Sequence, residues 1–213
     1  MQFLVALLSL AALGQTAVVL DRMAVIVGKH VIKTSDIERD LRVTEFLNNQ
    51  PLNLDSAAKH QSAERLIDQE IIRQEIITGG YRRPSAEDAT ALEQQLRHDR
   101  FVGSAQQLSR ALARYGLTEQ QLRDELLWQI TVLRFIDQRF RAGVLATDEE
   151  VRAYYDQHQS ELWVQNPGDS SFDALQARIR TTLEGNLINQ NFNDWLGQAR
   201  KRTRLEYLPD AFQ

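Results

Sequence analysis

The side chains that most often carry chemistry are sparse in this sequence and lack the spacings that catalysis requires. The four histidines (His30, His60, His98 and His158) lie far apart, and none belongs to an HExxH motif or an i, i+4 pair. The chain has no cysteine, which excludes disulfides, thiolate ligands and a cysteine nucleophile. Glycine-rich phosphate loops and the GxSxG serine motif are also absent. We therefore expect no catalytic residue, no metal and no cofactor, and a protein that is not an enzyme.

The charged residues indicate helix ends rather than a ligand. The formal net charge of −4 predicts no overall attraction to nucleic acid or to an anionic membrane. The acidic run at residues 148–150 stands at a predicted helix start, where it complements the helix dipole. The basic residues 200–202 and Arg204 stand at a predicted helix end, without the interleaved aromatic side chains that stack on bases. Nucleic acid is therefore not an expected partner.

The N-terminal segment is typical of a targeting sequence. Residues 3–13 form an uncharged apolar run, small residues follow it, and the first charged residue is Asp21. We expect residues 1–17 to be a secretory signal peptide, although no lysine or arginine precedes the apolar run. Two alternatives stay open: a buried N-terminal helix, and an uncleaved membrane anchor over residues 3–20, which its polar residues make a poor membrane span.

Few chain-breaking residues and a regular apolar spacing predict a mainly helical fold with a small β element. The 213 residues include 10 glycines and 4 prolines, below the usual share of about 12% for these two types together. Gly28 and Lys29 fit a two-residue hairpin turn, and Ser35 with Glu38 predicts a capping box. The predicted elements are strands at 23–27 and 31–32, helices at 34–48, 55–79, 84–99, 104–115, 118–141 and 147–160, a loop at 161–171, a helix at 172–201 and a strand at 204–208. The last strand has only the first two to pair with, so we expect both chain ends to meet in one domain over residues 18–213.

The fifth predicted helix carries more apolar side chains than one buried face needs. Its first stripe contains Leu122, Leu126, Ile130, Leu133, Ile136 and Phe140, and its second stripe contains Trp128, Val132 and Phe135. Such a helix is either clasped between neighbouring helices, which is the simpler interpretation, or partly exposed to a molecule that it binds.

Five segments form an ordered set that covers most of the chain after residue 20. They are LDRMAVIVGKHVIKTSDIERDL (20–41), ERLIDQEIIRQEI (64–76), LARYGLTEQQLRDELLWQITVLRFI (112–136), ATDEEVRAYYDQH (146–158) and LQARIRTTLEGNLINQNFNDWLGQARKRTRLEYL (175–208). The set resembles the SurA family of periplasmic chaperones, relatives of the parvulin-type peptidyl-prolyl isomerases and, more distantly, of the trigger-factor chaperone domain. One departure is the hairpin turn, where Gly28 and Lys29 replace the usual Asn-Gly of the family.

The larger departure from the family concerns its isomerase. In family members with isomerase activity, a parvulin domain follows the helix that matches ATDEEVRAYYDQH, whereas here only residues 159–171 precede the last helix. So short a segment cannot form a catalytic domain. The resemblance therefore implies the chaperone body alone, and no catalytic residue of the family has a counterpart in this chain.

The resemblance implies an ATP-independent periplasmic holdase that binds unfolded polypeptides, such as outer-membrane protein precursors. The candidate peptide-binding residues are Phe46, Leu47, Trp128, Phe135, Tyr155 and Trp163. Each of them could instead be a core residue, and burial of Trp128 or Phe135 would remove it from this set. Trp163 is the strongest candidate for exposure because it lies beside the predicted loop.

Three alternatives accompany this expectation. The chain could be a noncatalytic assembly module for one dedicated envelope partner, which needs an apolar surface as a holdase does. It could be a prolyl isomerase, against which the missing parvulin domain argues. It could also exchange its terminal segments between two copies and form a homodimer. Stable membrane insertion is not expected.

Overall fold

The computed structural model describes residues 21–165 and 168–212, and helices dominate this part of the chain. The elements described are β1 (Met23–Val27), β2 (His30–Lys33), α1 (Thr34–Asn48), α2 (Ser56–Gly79), α3 (Ala86–Phe101), α4 (Ala105–Arg114), α5 (Glu119–Phe140), α6 (Asp148–Gln157), α7 (Gln159–Gln165), α8 (Phe172–Arg202), β3 (Leu205–Tyr207) and a 3-10 turn (Pro209–Phe212). The predicted fold class, mainly α with a minor β element, is confirmed. The predicted signal peptide at residues 1–17 lies outside the described residues.

A three-stranded antiparallel sheet joins the two ends of the described chain. Its strand order is β2-β1-β3, so the strand from the C-terminal end pairs with the first strand of the hairpin. Val27 pairs with His30 across the predicted two-residue turn, where Gly28 has a φ of +62°. On the other edge of β1, Val27 pairs with Leu205. The prediction that the last strand pairs with the N-terminal hairpin is confirmed.

The helices begin where short polar side chains satisfy their first N–H groups. The Asp55 side chain accepts a hydrogen bond from the Ala58 N–H at 2.7 Å, and the Thr147 hydroxyl accepts one from the Glu150 N–H at 3.2 Å. The predicted Ser35–Glu38 capping box is wrong. The Asp36 carboxylate accepts the Lys33 N–H at 3.0 Å instead, while the Ser35 hydroxyl donates to Asp21 at 2.6 Å.

Four apolar clusters hold the helices together. The first packs the sheet against α1 and α2, and Ala24, Val25, Val27 and Ile37 are fully buried in it. The second joins α1, α3, α4 and α5. The third joins α6 and α7 to the first half of α8. The fourth joins α2, α5 and the second half of α8 around Phe135. At 31 residues, α8 is about 46 Å long, and it links the third cluster to the first and fourth.

Two short elements differ from the prediction. Residues 161–165 belong to α7 rather than to the predicted loop, and Leu162 on this helix packs into the cluster of α6 and α8. The chain after β3 folds into the 3-10 turn, which buries Phe212 against the sheet cluster and stacks it on His60 with ring centroids 4.0 Å apart. Within residues 21–165 and 168–212, no helix has the length and apolar character needed to cross a membrane.

Candidate functional site

A long groove runs between α2 and α5. It consists of two adjoining cavities of about 390 and 410 Å³, which share the lining residues Arg73, Asp124 and Trp128. Both volumes fall within the range of about 300–1,000 Å³ that is typical of ligand pockets. We call the two cavities together the α2–α5 groove. The cavity of about 390 Å³, which α1 borders, is its charged half. The cavity of about 410 Å³, which the segment before α3 borders, is its apolar half.

Trp128 and Arg73 meet in the middle of the groove. The guanidinium carbon of Arg73, on α2, lies 4.4 Å from the ring centroid of Trp128, on α5. This distance is that of a cation–π contact, which is worth about 0.5–1 kcal/mol at an exposed site. Trp128 is half-buried and its ring lines both halves. An aromatic surface therefore remains accessible where the two halves join.

The apolar half presents hydrocarbon side chains to solvent. Ile77 at its edge is 57% exposed, although it follows directly on the buried Ile76. Leu127 and Thr131 line the facing wall one helical turn apart, and Pro84 closes the end. Covering this surface with another apolar group is favourable, because it removes apolar area from water.

The charged half contains carboxylates from two helices. On α1, Asp36 is paired with Arg39 at 2.6 Å, and Asp40 is paired with Arg65 at 2.5 Å. The other two carboxylates, those of Asp124 and Glu125, lie on α5. The α1 carboxylates are therefore neutralised by arginines, and the α5 carboxylates decide how the charged half interacts with an occupant.

Glu125 and Asp124 carry negative charge that no arginine neutralises by direct contact. Asp124 accepts a hydrogen bond from the Gln120 amide at 2.8 Å, and Glu125 accepts one from the Gln129 amide at 3.0 Å. Neither carboxylate forms an ion pair within the described part of the chain. Burial raises the pKa of the Glu125 carboxyl, and the nearby charge of Asp40 adds to this effect. The site thus holds a carboxylate without a direct ion pair, although the charges of Arg65 and Arg73 lie near enough to offset part of this rise in its pKa.

Three of the six predicted site residues are core residues in this structure. Phe46 is 1% exposed and stacks on Phe101, and Phe135 is 1% exposed in the cluster of α2, α5 and α8. Tyr155 is 8% exposed, and its hydroxyl donates to the Ser170 carbonyl at 2.8 Å. Neighbouring elements of the fold cover each of these rings, and burial removes Phe135 from the peptide-binding candidates by the criterion given above.

The other three predicted residues reach the surface at separate places. Leu47 is half-buried against the cluster of α1, α3, α4 and α5. Trp128 lies in the α2–α5 groove. Trp163 is 57% exposed on α7, next to Val164, which is 83% exposed. The structure therefore does not bring the six residues together into one site, and of the six only Trp128 lines the groove.

Sequence reasoning missed the residues that surround Trp128 in the groove. Leu127 and Thr131 have the i, i+4 spacing of one helical face, and Arg73 and Ile77 have the same spacing on α2. These spacings could have identified one strip of side chains on each helix. They could not have shown that the strips oppose each other, because that depends on how α2 and α5 each pack against α8.

Nothing in the described geometry points to metal chemistry or to a known family. Within residues 21–165 and 168–212, no three histidine, aspartate or glutamate side chains are grouped closely enough to hold a metal ion. No protein-family model matches the chain, and no curated protein is significantly similar to it. What the groove can do chemically is cover an apolar side chain beside Trp128 and hold a polar or charged group beside Asp124 and Glu125.

Proposed function

We propose that the protein is an ATP-independent holdase that binds unfolded polypeptides in the α2–α5 groove. The single observation that carries this proposal is the half-buried Trp128 ring, which adjoins a cavity of about 410 Å³ with the exposed Ile77 at its edge. An extended polypeptide can place an apolar side chain in such a groove without adopting a folded structure. The proposal includes a periplasmic location and outer-membrane protein precursors among the clients.

Two further features support the proposal without testing it. The order of the sequence segments resembles the SurA chaperone body. The described residues also leave other apolar side chains exposed, such as Leu145 at 78% and Trp163 at 57%, which suits a protein with more than one contact region for an unfolded chain. We do not expect turnover of a proline peptide, since the chain has no segment that matches the parvulin domain.

Light scattering during dilution of two unrelated unfolded proteins tests the proposal. One is an outer-membrane barrel protein and the other has no relation to the envelope. We expect the full-length protein to suppress the aggregation of both at near-stoichiometric ratios. Suppression of neither would contradict the holdase function and favour the alternative, a noncatalytic assembly module for one dedicated partner.

A matched pair of variants assigns the activity to the groove. Ile77→Asp places a charge at the edge of the apolar half, whereas Leu133→Asp places one on α5 at a similarly exposed position (57% and 67%) that does not line the groove. We expect Ile77→Asp to weaken protection several-fold and Leu133→Asp to leave it unchanged. Circular dichroism confirms that both variants are folded. Equal loss in both would contradict the assignment.

A further inference from the structure

Charge is distributed unevenly along the α2–α5 groove. The lining of the apolar half includes the arginines Arg73 and Arg83, but Arg73 is held over Trp128 and lies 3.5 Å from Glu70. The lining of the charged half includes four carboxylates and two arginines. Because Asp36 and Asp40 are each paired with an arginine, the unneutralised charge of this half belongs to α5.

Asp124 and Glu125 place that charge next to the Trp128 ring. Asp124 lines both halves, so this residue lies at the junction where an occupant would pass from one half to the other. Glu125 lines the charged half one residue further along α5. Both carboxylates have a glutamine amide as their hydrogen-bond donor, and each retains lone pairs that can accept from a cation.

We infer that the groove selects extended segments in which a lysine or arginine stands close to a large apolar side chain. The apolar side chain occupies the cavity beside Trp128, Ile77 and Leu127, and the cation lies against Asp124 and Glu125. This inference rests on the proposed function and names the class of polypeptide that the same groove takes. Charge complementarity is its basis, since an acidic or neutral neighbour would leave both carboxylates without a direct ion pair.

The environment of Glu125 strengthens the charge argument. Burial disfavours the ionised carboxylate, and the pKa of this group is raised accordingly. A cation brought against Glu125 offsets that cost, because an opposite charge within a few ångströms favours the ionised form. A long lysine or arginine stem also covers apolar surface while its charged end stays at the carboxylates.

Three labelled peptides of equal length test the inference by fluorescence anisotropy. Each has a central leucine, and the residues around it are lysine in the first peptide, glutamine in the second and glutamate in the third. We expect the lysine peptide to bind about tenfold more tightly than the glutamine peptide, equivalent to about 1.4 kcal/mol. We expect the glutamate peptide to bind most weakly, and these differences to shrink with added salt.

Two double variants with the same net charge separate the groove from general attraction to an acidic protein. Asp124→Asn with Glu125→Gln removes the two groove carboxylates. Asp137→Asn with Glu149→Gln removes two carboxylates, on α5 and α6, that do not line the groove. We expect the first variant to reduce the preference for lysine over glutamine to about twofold or less, and the second to retain it.

The outcomes distinguish this inference from the proposed function. Equal binding of the lysine and glutamine peptides, or a preference that survives in the groove variant, overturns the charge selection while a groove for apolar segments stands. Failure of all three peptides to bind also overturns the inference. In that case the light-scattering assay decides independently whether the holdase function is retained.

Discussion

Two aromatic residues on α5 illustrate how far burial decides the role of a side chain. Trp128 and Phe135 belong to the same predicted stripe, seven residues apart. Phe135 meets Tyr81, Phe140 and Trp195 edge-on with centroids 5.0–5.8 Å away. Trp128 instead has the Arg73 guanidinium over its ring and lines both halves of the groove. The stripe is therefore part of the core at one end and part of the groove at the other.

This difference predicts the effect of removing an aromatic ring. We expect Phe135→Ala to lower the free energy of unfolding by about 3–5 kcal/mol, because it leaves a cavity among three helices. Trp163→Ala is the control, since its ring is 57% exposed, and we expect a change of about 0.5 kcal/mol or less. Urea unfolding followed by circular dichroism measures both. Similar losses in the two variants would show that Phe135 is not a core residue.

The raised pKa of Glu125 predicts that the stability of the fold depends on pH. Burial raises this pKa in the folded protein, so the folded state keeps the proton to a higher pH than the unfolded state does. The stability that this group contributes is therefore complete below the unfolded pKa and declines as pH rises toward the folded pKa. We expect Glu125→Gln to raise the melting temperature at neutral pH.

The same comparison at low pH provides the control for Glu125. Near pH 4, where the carboxyl is largely protonated in both states, we expect the melting temperatures of wild type and Glu125→Gln to converge. The amide that this substitution introduces can keep the contact with Gln129, which in the wild type measures 3.0 Å. A variant less stable than the wild type at neutral pH would show that the ionised carboxylate stabilises the fold.

At the scale of elements, Arg200 connects α8, α2 and β3. Its guanidinium is paired with Glu64 and lies 2.7 Å from Asp68, both on α2. The Tyr207 hydroxyl on β3 donates to Glu64 at 2.7 Å, which closes the network. Burial raises the pKa of Asp68 despite this arginine. The end of α8 and the strand β3 are thus held by polar contacts as well as by the sheet.

Removal of this arginine tests that role. We expect Arg200→Gln to lower the free energy of unfolding by about 1–2 kcal/mol, because it leaves two carboxylates without their cation. Arg204→Gln is the matched control: its side chain is 80% exposed and pairs with Glu206 on the adjoining strand β3, a contact worth about 0.5 kcal/mol or less. Thermal unfolding measures both, and equal effects would contradict the connecting role of Arg200.

The elements were largely predictable because their signals are local. The cap at Asp55, the cap at Thr147 and the hairpin turn at Gly28 each depend on a few adjacent residues, and the structure has all three. The short helix α7 was missed because the turn-forming residues 166–168 dominate that part of the sequence. Its stability comes from Leu162, which packs against α6 and α8.

The groove was not predictable from the sequence, because it depends on the packing of distant helices. Arg73 and Trp128 are 55 positions apart, and nothing in either segment shows that they face each other. The apolar stripe on α5 did predict an accessible aromatic surface as one of two alternatives. Leu133, which the first stripe placed with buried residues, is instead 67% exposed, because α5 changes neighbours along its length: Leu126 packs into the cluster of α1, α3 and α4, whereas further along the helix it is Phe135 that packs against α2 and α8.

At the scale of the whole molecule, we expect a client to contact one face of the helical body. The sheet joins the two ends of the described chain, and α8 packs against both α2 and α5. The groove between α2 and α5 is left open. Clients that bind through this groove contact α2 and α5 together. A dedicated partner that docks on the exposed Trp163 and Val164 of α7 would leave the groove free.

Site-specific crosslinking tests the assignment of client binding to the groove. The chain has no cysteine, so Ile77→Cys and Leu133→Cys each provide a unique attachment point for a photocrosslinker, one at the groove and one at an exposed position of α5 outside it. The measurement is the yield of covalent adduct with an unfolded barrel protein. We expect a high yield from position 77, reduced by an excess of unlabelled client, and a low yield from position 133. Equal yields, or a higher yield from position 133, would contradict the α2–α5 groove as the binding site.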